Sequence, residues 1–273
     1  MTTFWEKLMK NYLEYQSFAE SIAKYAGEIM RKYFVLDNGG RYKGDKTIVT
    51  LADTEINSFL IKRVKEQYPN HAVDGEEEQF GESKYKWVCD PVDGTAMYAR
   101  HIPVAVFSLA LVVDGVPVVG VVYDPFLDNM YSAIKGQGAY LNNKKIEVND
   151  YALDDIRTAC HCDMWSKDKM DVGELFKKLR TITRVNDIGS IARACCCVST
   201  GDYTMAIFVG TTHKHCDIAA VKVIVEEAGG KVTDLFGNEQ RYDQSINGAI
   251  ISNKKVHDEV VKVVKENLVI SQS

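Results

Sequence analysis

The sequence contains no long apolar run. None of its segments approaches the ~18 consecutive apolar residues that a membrane-spanning helix requires, and residues 1–10 carry Trp5, Glu6 and Lys7 without the apolar stretch of a signal peptide. These absences predict a cytoplasmic protein without a membrane partner. The 273 residues are 46% apolar, which is enough for the core of one large domain or of two closely packed ones.

Positive charge is not in excess either. The formal net charge at pH 7 is −5. Proteins that bind a nucleic-acid backbone carry basic surfaces, so the charge balance argues against a nucleic-acid polymer as a partner.

The cysteine patterns of disulfide frameworks and zinc sites are missing. Seven cysteines are an odd number, and the run Cys195-Cys196-Cys197 cannot all form bridges, so reduced thiols are expected. Neither Cys160-His161-Cys162 nor His213-Lys214-His215-Cys216 has the Cys-x-x-Cys spacing of a structural zinc site. In a strand, Cys160 and Cys162 would share one face. We expect most of the thiols to pack as small buried hydrophobes, with zinc binding as a minor alternative.

Several common catalytic motifs are absent as well. The sequence has no Gly-x-Ser-x-Gly elbow, no Walker loop and no dinucleotide-binding fingerprint. It also lacks the covalent-aspartate pattern that some Mg²⁺ phosphatases carry. A water molecule, rather than a side chain, is therefore the expected nucleophile of any hydrolysis.

Two carboxylates and a glycine stand together in Cys89-Asp90-Pro91-Val92-Asp93-Gly94-Thr95, directly after an apolar run. Pro91 fixes its own φ and biases Asp90 towards an extended conformation, so both acids can project from one bend. Gly94 permits close approach of the backbone, and the amides of Gly94 and Thr95 can face an anion. Carboxylates beside such amides predict a site where Mg²⁺ bridges the protein and a phosphate group.

Three other acidic segments accompany this motif. They are Ile48-Val49-Thr50-Leu51-Ala52-Asp53, Val73-Asp74-Gly75-Glu76-Glu77-Glu78 and Cys216-Asp217-Ile218-Ala219-Ala220, the last followed by Glu226-Glu227-Ala228-Gly229-Gly230. Taken in order, the four segments resemble the inositol monophosphatase family, which belongs with fructose-1,6-bisphosphatase to the lithium-sensitive, Mg²⁺-dependent phosphatase superfamily. The pattern extends from about Lys43 to about Asn253.

The resemblance implies a Mg²⁺-dependent phosphomonoesterase that acts on a small sugar or polyol phosphate, most similar to inositol-1-monophosphatase. It implies that Glu76, Asp90 and the backbone carbonyl of Val92 hold one ion. Asp90, Asp93 and Asp217 would hold a second, with Asp90 shared because ions in paired sites lie roughly 3.5–4 Å apart. A third, weaker ion near Glu76 is implied by the resemblance alone.

Some of these acids also have a plainer interpretation. Asp53 and Asp217 are each placed to cap a helix, and an acidic triplet such as Glu76-Glu77-Glu78 is usually a solvated face. For Asp53 the resemblance adds a second role, a hydrogen bond with the hydroxyl of Thr95. Thr95, with Glu76 nearby, would then receive or relay the proton of the attacking water.

Substrate contacts are expected at two glycine-containing turns and at Asp217. The amides of Gly94 and Thr95 would bind phosphate oxygens. Gly189-Ser190 opens a helix, where Ser190 is a simple cap or, as the resemblance implies, the pair contacts the substrate. The basic segment 41–46 is interpreted as a flap near the site or as a solvated loop.

Four positions depart from the family's pattern. Ala96-Met97 replace a polar pair after the threonine, Gly210 replaces an acidic residue, and Cys216 replaces a tryptophan. These changes concern substrate recognition, so fructose 1,6-bisphosphate, histidinol phosphate and 3′-phosphoadenosine phosphates stay open as alternative substrates. The segment His213-Lys214-His215 either suits a more anionic substrate or forms a solvated loop.

Periodicity predicts the scaffold around the site. A helical pattern covers residues 4–34, residues 104–113 and 116–123 form strands joined by Asp114-Gly115, and a further hairpin covers residues 131–141. In the second half, strands are predicted at 156–162 and 203–209 and helices at 172–180, 190–200 and 254–267; a helix begins at Asp217, and the end of the chain frays from Leu268.

Near-continuous apolar strands predict a sheet that is covered by helices on both faces. Residues 1–150 would form an α+β half with most of the metal ligands, and residues 151–273 an α/β half that completes the site within one compact unit. The resemblance implies a layered αβαβα sandwich and a homodimer. A non-catalytic binding or regulatory module is the alternative of a different class.

Overall fold

The computed structural model describes residues 4–36, 40–42, 48–163, 170–210 and 215–270. Its longest helix, α1 (Phe4–Val35), confirms the helix predicted from the apolar spacing. Phe18, Ile22 and Ala26 follow one another by four positions and are buried, because positions four apart share a helix face.

The other elements, in chain order, are β1 (Arg41–Tyr42), β2 (Ile48–Val49), α2 (Leu51–Gln67), β3 (Ala72–Gly75), β4 (Gln79–Phe80), β5 (Tyr85–Asp93), α3 (Thr95–Tyr98), β6 (Val106–Val113), β7 (Val116–Asp124), β8 (Asn129–Ile134), β9 (Ala139–Leu141), β10 (Lys144–Ile146), β11 (Ala159–Cys162), β12 (Met170–Asp171), α4 (Gly173–Arg180), β13 (Arg184–Asn186), α5 (Ile191–Ser199), β14 (Met205–Phe208), α6 (His215–Glu227), β15 (Gly230–Thr233), β16 (Ala249–Asn253), α7 (His257–Asn267) and β17 (Val269–Ile270).

The first sheet has eight strands in the order β10-β9-β8-β7-β6-β5-β3-β4. Its neighbours are antiparallel except β3 and β5, which run parallel. The predicted hairpin between β6 and β7 turns at Asp114 and Gly115, whose φ angles of 51° and 82° match the turn that the strand twist favours. The hairpin between β8 and β9 is confirmed as well.

Both faces of this sheet are buried. Along β6, Phe107, Leu109 and Leu111 pack into the core beneath α1 and α2, whereas Val106 and Ala110 pack into the core beneath α5 and α6. Successive strand residues point to opposite faces, so a continuous apolar strand requires a cover on each side. The expectation of helices over both faces is confirmed.

The second sheet has five strands in the order β13-β11-β14-β16-β15. One face shares the core of α5 and α6, and the other packs against α4 and α7 through residues such as Leu175, Leu179 and Val260. The order of layers is therefore α1 and α2, first sheet, α5 and α6, second sheet, α4 and α7. The αβαβα sandwich is confirmed, while a division near residue 150 stays a prediction.

The predicted start of β11 and the predicted fraying of the tail are wrong. Strand β11 begins at Ala159 rather than at Ile156, which is 99% exposed, because Asp155 accepts a hydrogen bond from the backbone N–H of Arg157 and makes a turn there. The tail does not fray throughout, since Val269 and Ile270 pair with Asp171 and Met170.

The last helix also starts later than predicted. Helix α7 begins at His257 rather than at Lys254, because the side chain of Asn253 accepts the N–H of Val256 at 3.0 Å and holds a turn.

Of the helices that the structure describes, none combines the length and apolarity that a bilayer crossing needs.

Candidate active site

The acidic motif occupies the end of β5, inside the first sheet. The pairing of β5 with β6 shifts register between Asp90 and Asp93, as expected where Pro91 cannot donate to the ladder. Asp90 Oδ1 accepts the N–H of Val92 at 2.9 Å. Gly94 has a φ of 92°, and a Cβ there would lie 2.9 Å from the carbonyl oxygen of Gly189, so only glycine fits between the two turns.

Three buried carboxylates converge at this point. Asp90, Asp93 and Asp217 each offer an oxygen, and these oxygens lie within 4.8 Å of one another. Three negative charges in a buried site repel one another, and a hard divalent cation with oxygen ligands would relieve that repulsion. The donor set therefore fits Mg²⁺, and it unites three of the four side-chain ligands that the sequence predicts.

Asp93 is oriented by the start of α5. Its Oδ2 accepts hydrogen bonds from the hydroxyl of Ser190 and from the backbone N–H of Ala192, the latter at 2.9 Å. The Ser190 oxygen in turn accepts the N–H of Arg193, so Ser190 is the N-cap of α5. The capping interpretation of Ser190 is correct, and the residue also fixes Asp93. Its predicted contact with substrate stays a prediction.

Asp217 lies inside the first turn of α6 and does not begin the helix. Among the described residues α6 already includes His215, so the prediction that the helix starts at Asp217 is wrong. The preceding thiol, Cys216 Sγ, donates to Asp217 Oδ1 at 3.4 Å. Asp217 thus reaches the acidic group from the middle layer, whereas Asp90 and Asp93 come from the first sheet.

Asp53 is the third residue of α2 rather than its cap. Thr50 is the N-cap, and its N–H and hydroxyl both donate to Asp53 Oδ2, so the side chain of the third helical residue closes the helix start. Asp53 Oδ1 lies 3.3 Å from the hydroxyl of Thr95, so the contact that the resemblance implies is present. Burial raises the pKa of Asp53 to about 7, with the charges of Glu76 and Glu77 adding to the effect and the bonds from Thr50 opposing it.

Glu76 follows β3 and is held through its backbone. Its N–H donates to the carbonyl of Cys89, directly before Asp90, at 3.0 Å. The side chain of Asn57 on α2 accepts the N–H groups of Glu77 and Glu78 and donates to the carbonyl of Glu78. Glu76 lies outside the group of three oxygens, and its role as a metal ligand stays a prediction.

A buried pair that sequence reasoning missed lies beside Glu76. His215 Nε2 and Asp74 Oδ2 are 3.0 Å apart and both side chains are buried, so the interpretation of His215 as part of a solvated loop is wrong. His213 and Lys214 lie outside the described residues, as does most of the basic segment 41–46. Burial alone would raise the pKa of Asp74, but His215 and Lys86 outweigh it and hold that pKa below its usual value.

The pair borders a cavity of about 230 Å³. Asp74, Glu76, Glu77, His215 and Cys216 are among the residues that line it. The wall of the cavity therefore includes the predicted metal ligand Glu76 and the first residues of α6.

A family model decides the classification. The model described as the inositol monophosphatase family matches residues 11–268, nearly the whole chain. The chain belongs to the inositol monophosphatase family.

Two named relatives and one solved structure support the same classification. Inositol monophosphatase 1 of Solanum lycopersicum is 31% identical over 237 residues, which cover 83% of this chain and 86% of the relative. A Thermotoga maritima protein named fructose-1,6-bisphosphatase/inositol-1-monophosphatase is 33% identical over 235 residues, covering 85% and 88%. The structure of a Thermotoga maritima IMPase superposes with a TM-score of 0.83 at 29% identity, covering 93% of this chain and 97% of that one.

This inositol monophosphatase family member is an enzyme that hydrolyses phosphomonoesters. The catalytic interpretation is therefore confirmed over the non-catalytic one. Magnesium dependence is general in the family, and the acidic group offers the corresponding ligands.

Three of the positions that depart from the family pattern, Ala96, Met97 and Cys216, lie next to the predicted site. Met97 packs against Gly189, where a Cβ would lie 2.5 Å from Met97 Cγ. Ala96 is exposed, and Cys216 is buried beside Asp217. An apolar side chain thus covers the turn that the family resemblance assigns to substrate.

All seven cysteines are free and six are buried, which confirms the expectation that most of the thiols pack as small buried side chains. Cys160 and Cys162 share one face and pack in the outer core. His161 points the other way, and its Nδ1 accepts the N–H of Ile188 at 3.4 Å; burial lowers the pKa of His161 to about 4. Within the described residues these three do not gather as metal ligands.

Proposed function

We propose that this enzyme hydrolyses a small sugar or polyol phosphate, with inositol 1-phosphate as the first candidate, using two or three Mg²⁺ ions and water as the nucleophile. The convergence of Asp90, Asp93 and Asp217 in a buried group carries the proposal. With Glu76 as the fourth side-chain ligand, three separate segments of the chain would supply one metal site.

Glu76, Asp90, Asp93, Asp217 and the carbonyl of Val92 would hold the ions. Bound Mg²⁺ offsets the negative charge of the phosphoryl group and lowers the pKa of coordinated water. The Val92 carbonyl accepts the hydroxyl of Thr95 at 2.8 Å, and its second lone pair remains suited to a cation.

The chain's own residues orient the reactants and handle the proton. Thr95 lies between the Val92 carbonyl and Asp53 Oδ1, so its single hydroxyl hydrogen has an acceptor on either side, one of them a carboxylate. Thr95, with Glu76 nearby, would receive or relay the proton of water. The amides of Gly94 and Thr95 would bind phosphate oxygens, with Gly189, Ser190 and Asp217 completing the substrate contacts.

Fructose 1,6-bisphosphate is the second candidate substrate. The Thermotoga maritima relative is named for both activities, and the positions Ala96, Met97, Gly210 and Cys216 depart from the pattern associated with inositol. Histidinol phosphate and 3′-phosphoadenosine 5′-phosphate complete the set to be tested.

The test is phosphate release from these four substrates with Mg²⁺, with and without Li⁺. We expect Mg²⁺-dependent release from inositol 1-phosphate or fructose 1,6-bisphosphate, inhibition by Li⁺, and no release by the D90N variant. If none of the four releases phosphate in the presence of Mg²⁺, the proposed substrate class is wrong.

Homodimerisation, a cytoplasmic location and lithium sensitivity are proposed from family membership. Sedimentation of the purified chain tests the first of these, since a monomer at all accessible concentrations would contradict it.

A further inference from the structure

The contact between Asp74 and His215 joins the two segments that carry the outermost predicted ligands. The two residues are 141 positions apart in the chain. Asp74 is on β3, two positions before Glu76, and His215 is on α6, two positions before Asp217. One hydrogen bond therefore connects the backbone that presents Glu76 with the backbone that presents Asp217.

Helix geometry explains why this contact affects Asp217. Residues two apart in an α-helix point about 200° apart around its axis. His215 thus contacts β3 while Asp217 reaches Asp90 and Asp93 on β5. A fixed His215 ring sets the rotation of the first turn of α6, and with it the direction of Asp217.

Asp74 is itself rigidly placed. Its Oδ1 accepts the side-chain amide of Gln79 at 2.8 Å, and Lys86 Nζ lies 3.7 Å from Oδ2. Because a carboxylate only accepts, His215 must donate from Nε2. His215 Nδ1 has no hydrogen-bond partner among the described residues, so in that part of the chain the ring is oriented through Asp74 alone.

We propose that Asp74 and His215 are positioning residues, which set the separation of Glu76 from Asp217 and thereby the affinity of the site for Mg²⁺. The inference rests on the proposed function, since it takes Glu76 and Asp217 as metal ligands. Residues that orient metal ligands through hydrogen bonds typically change metal affinity or activity about 10–100-fold when they are lost.

Two variants remove the contact from opposite sides and one retains it. In H215N the amide occupies the position of Nδ1 and does not reach Asp74, and in D74S the hydroxyl is too short. In H215Q the side-chain amide reaches the position of Nε2 and can still donate. Titration calorimetry with Mg²⁺ and with Mn²⁺, on the full chain without substrate, measures the affinity directly.

We expect H215N and D74S to weaken Mg²⁺ binding about 10–100-fold, and H215Q to recover most of the affinity. The Mg²⁺ concentration for half-maximal activity should rise in parallel, while the KM for substrate at saturating Mg²⁺ stays close to that of the wild type. In the H215N/D74S double variant the loss should not exceed that of either single variant, because both remove the same contact.

The matched control is H257N, which alters a buried histidine hydrogen-bonded to Ser252 and Thr233 outside the acidic group. It should lower the thermal midpoint without changing Mg²⁺ affinity. A Mg²⁺ affinity within twofold of wild type in folded H215N, or in folded D74S if H215N does not fold, would overturn the inference. D217N separates this from the proposed function: if D217N also binds Mg²⁺ normally, the metal site itself is misassigned.

Discussion

At the scale of single residues, Asp93 shows how one carboxylate serves two partners. Oδ2 receives the hydroxyl of Ser190 and the N–H of Ala192, while the side chain also contributes an oxygen to the group with Asp90 and Asp217. A side chain whose direction is fixed by donors on another element presents its charge without losing rotamer freedom on metal binding.

Asp93→Asn should therefore lower kcat by more than about 100-fold, since even the outer partners of metal ligands cost about 10–100-fold. The fold should persist, because asparagine keeps the shape and an oxygen for Ala192. Steady-state kinetics together with a thermal melt check both statements. Asp258→Asn, the same change at an exposed carboxylate paired with Lys231, should leave kcat unchanged, and near wild-type turnover in the Asp93 variant would contradict the assignment.

His257 makes stability depend on pH. Burial, followed by the charge of Lys231, lowers its pKa from 6.5 to about 4, so the folded protein disfavours the charged ring. The unfolded chain then binds more protons between these values, and stability falls as pH drops from about 6.5 to about 4. The difference between the two pKa values of His257 corresponds to a change of about 3 kcal/mol in the free energy of unfolding.

Urea unfolding with EDTA at pH 7.5 and at pH 4.5 measures this loss. In His257→Asn the loss between the two pH values should be smaller than in the wild type by about 2–3 kcal/mol, even though the variant is less stable at pH 7.5. If the wild type and the variant lose the same stability between the two pH values, the pKa of His257 is not lowered in the folded protein.

At the scale of elements, the backbone of α6 lies close to that of β7 in the first sheet. A Cβ at Gly120 would lie 2.3 Å from the carbonyl oxygen of Ala220. The carbonyl of Ala220 belongs to the helix backbone and cannot move aside as a flexible side chain can. A side chain at position 120 would therefore push α6 away from the first sheet. Because α6 carries Asp217, such a shift would separate it from Asp90 and Asp93.

Gly120→Ala should accordingly destabilise the fold by about 1–3 kcal/mol, as overpacking does, and weaken Mg²⁺ binding as well. Denaturant unfolding and calorimetry measure the two effects. Gly173→Ala, at the exposed start of α4 where the nearest atoms belong to the side chain of Asp171, is the matched control and should change neither quantity appreciably.

Elements with a local cause were predictable from the sequence, and long-range contacts were not. Pro91 and Gly94 mark the bend at the end of β5, and Asp114-Gly115 marks the hairpin between β6 and β7, because these residues favour particular backbone angles. The pairing of Asp74 with His215 joins segments whose approach depends on α6 lying over the first sheet. The nearest signal was their position two residues before predicted ligands, which alone does not distinguish contact from coincidence.

At the scale of the whole molecule, metal binding and folding should be linked. The acidic group draws its carboxylates from the first sheet and from the middle layer, so it exists only when these layers are packed together. A ligand that binds only the folded state at 100 times its Kd stabilises it by about 2.7 kcal/mol.

Saturating Mg²⁺ should therefore raise the thermal midpoint of the wild-type protein, and EDTA should reverse the increase. In Asp90→Asn the increase should disappear, because the carboxylate that we propose to be shared by two ions is lost. Differential scanning calorimetry over a Mg²⁺ series checks this; a midpoint that does not respond to Mg²⁺ would count against a site built from both layers.

The distribution of thiols has a practical consequence. Cys89 belongs to the core under α1 and α2, Cys195, Cys196 and Cys216 belong to the middle core, and Cys160 and Cys162 belong to the outer one. An alkylating reagent reaches each set only when its own layer opens, since burial shields the sulfur and raises its pKa. The rate at which each set of cysteines is alkylated, measured by mass spectrometry, would thus report how often the surrounding core opens. The native cysteines allow this measurement for three parts of the protein without any engineered probe.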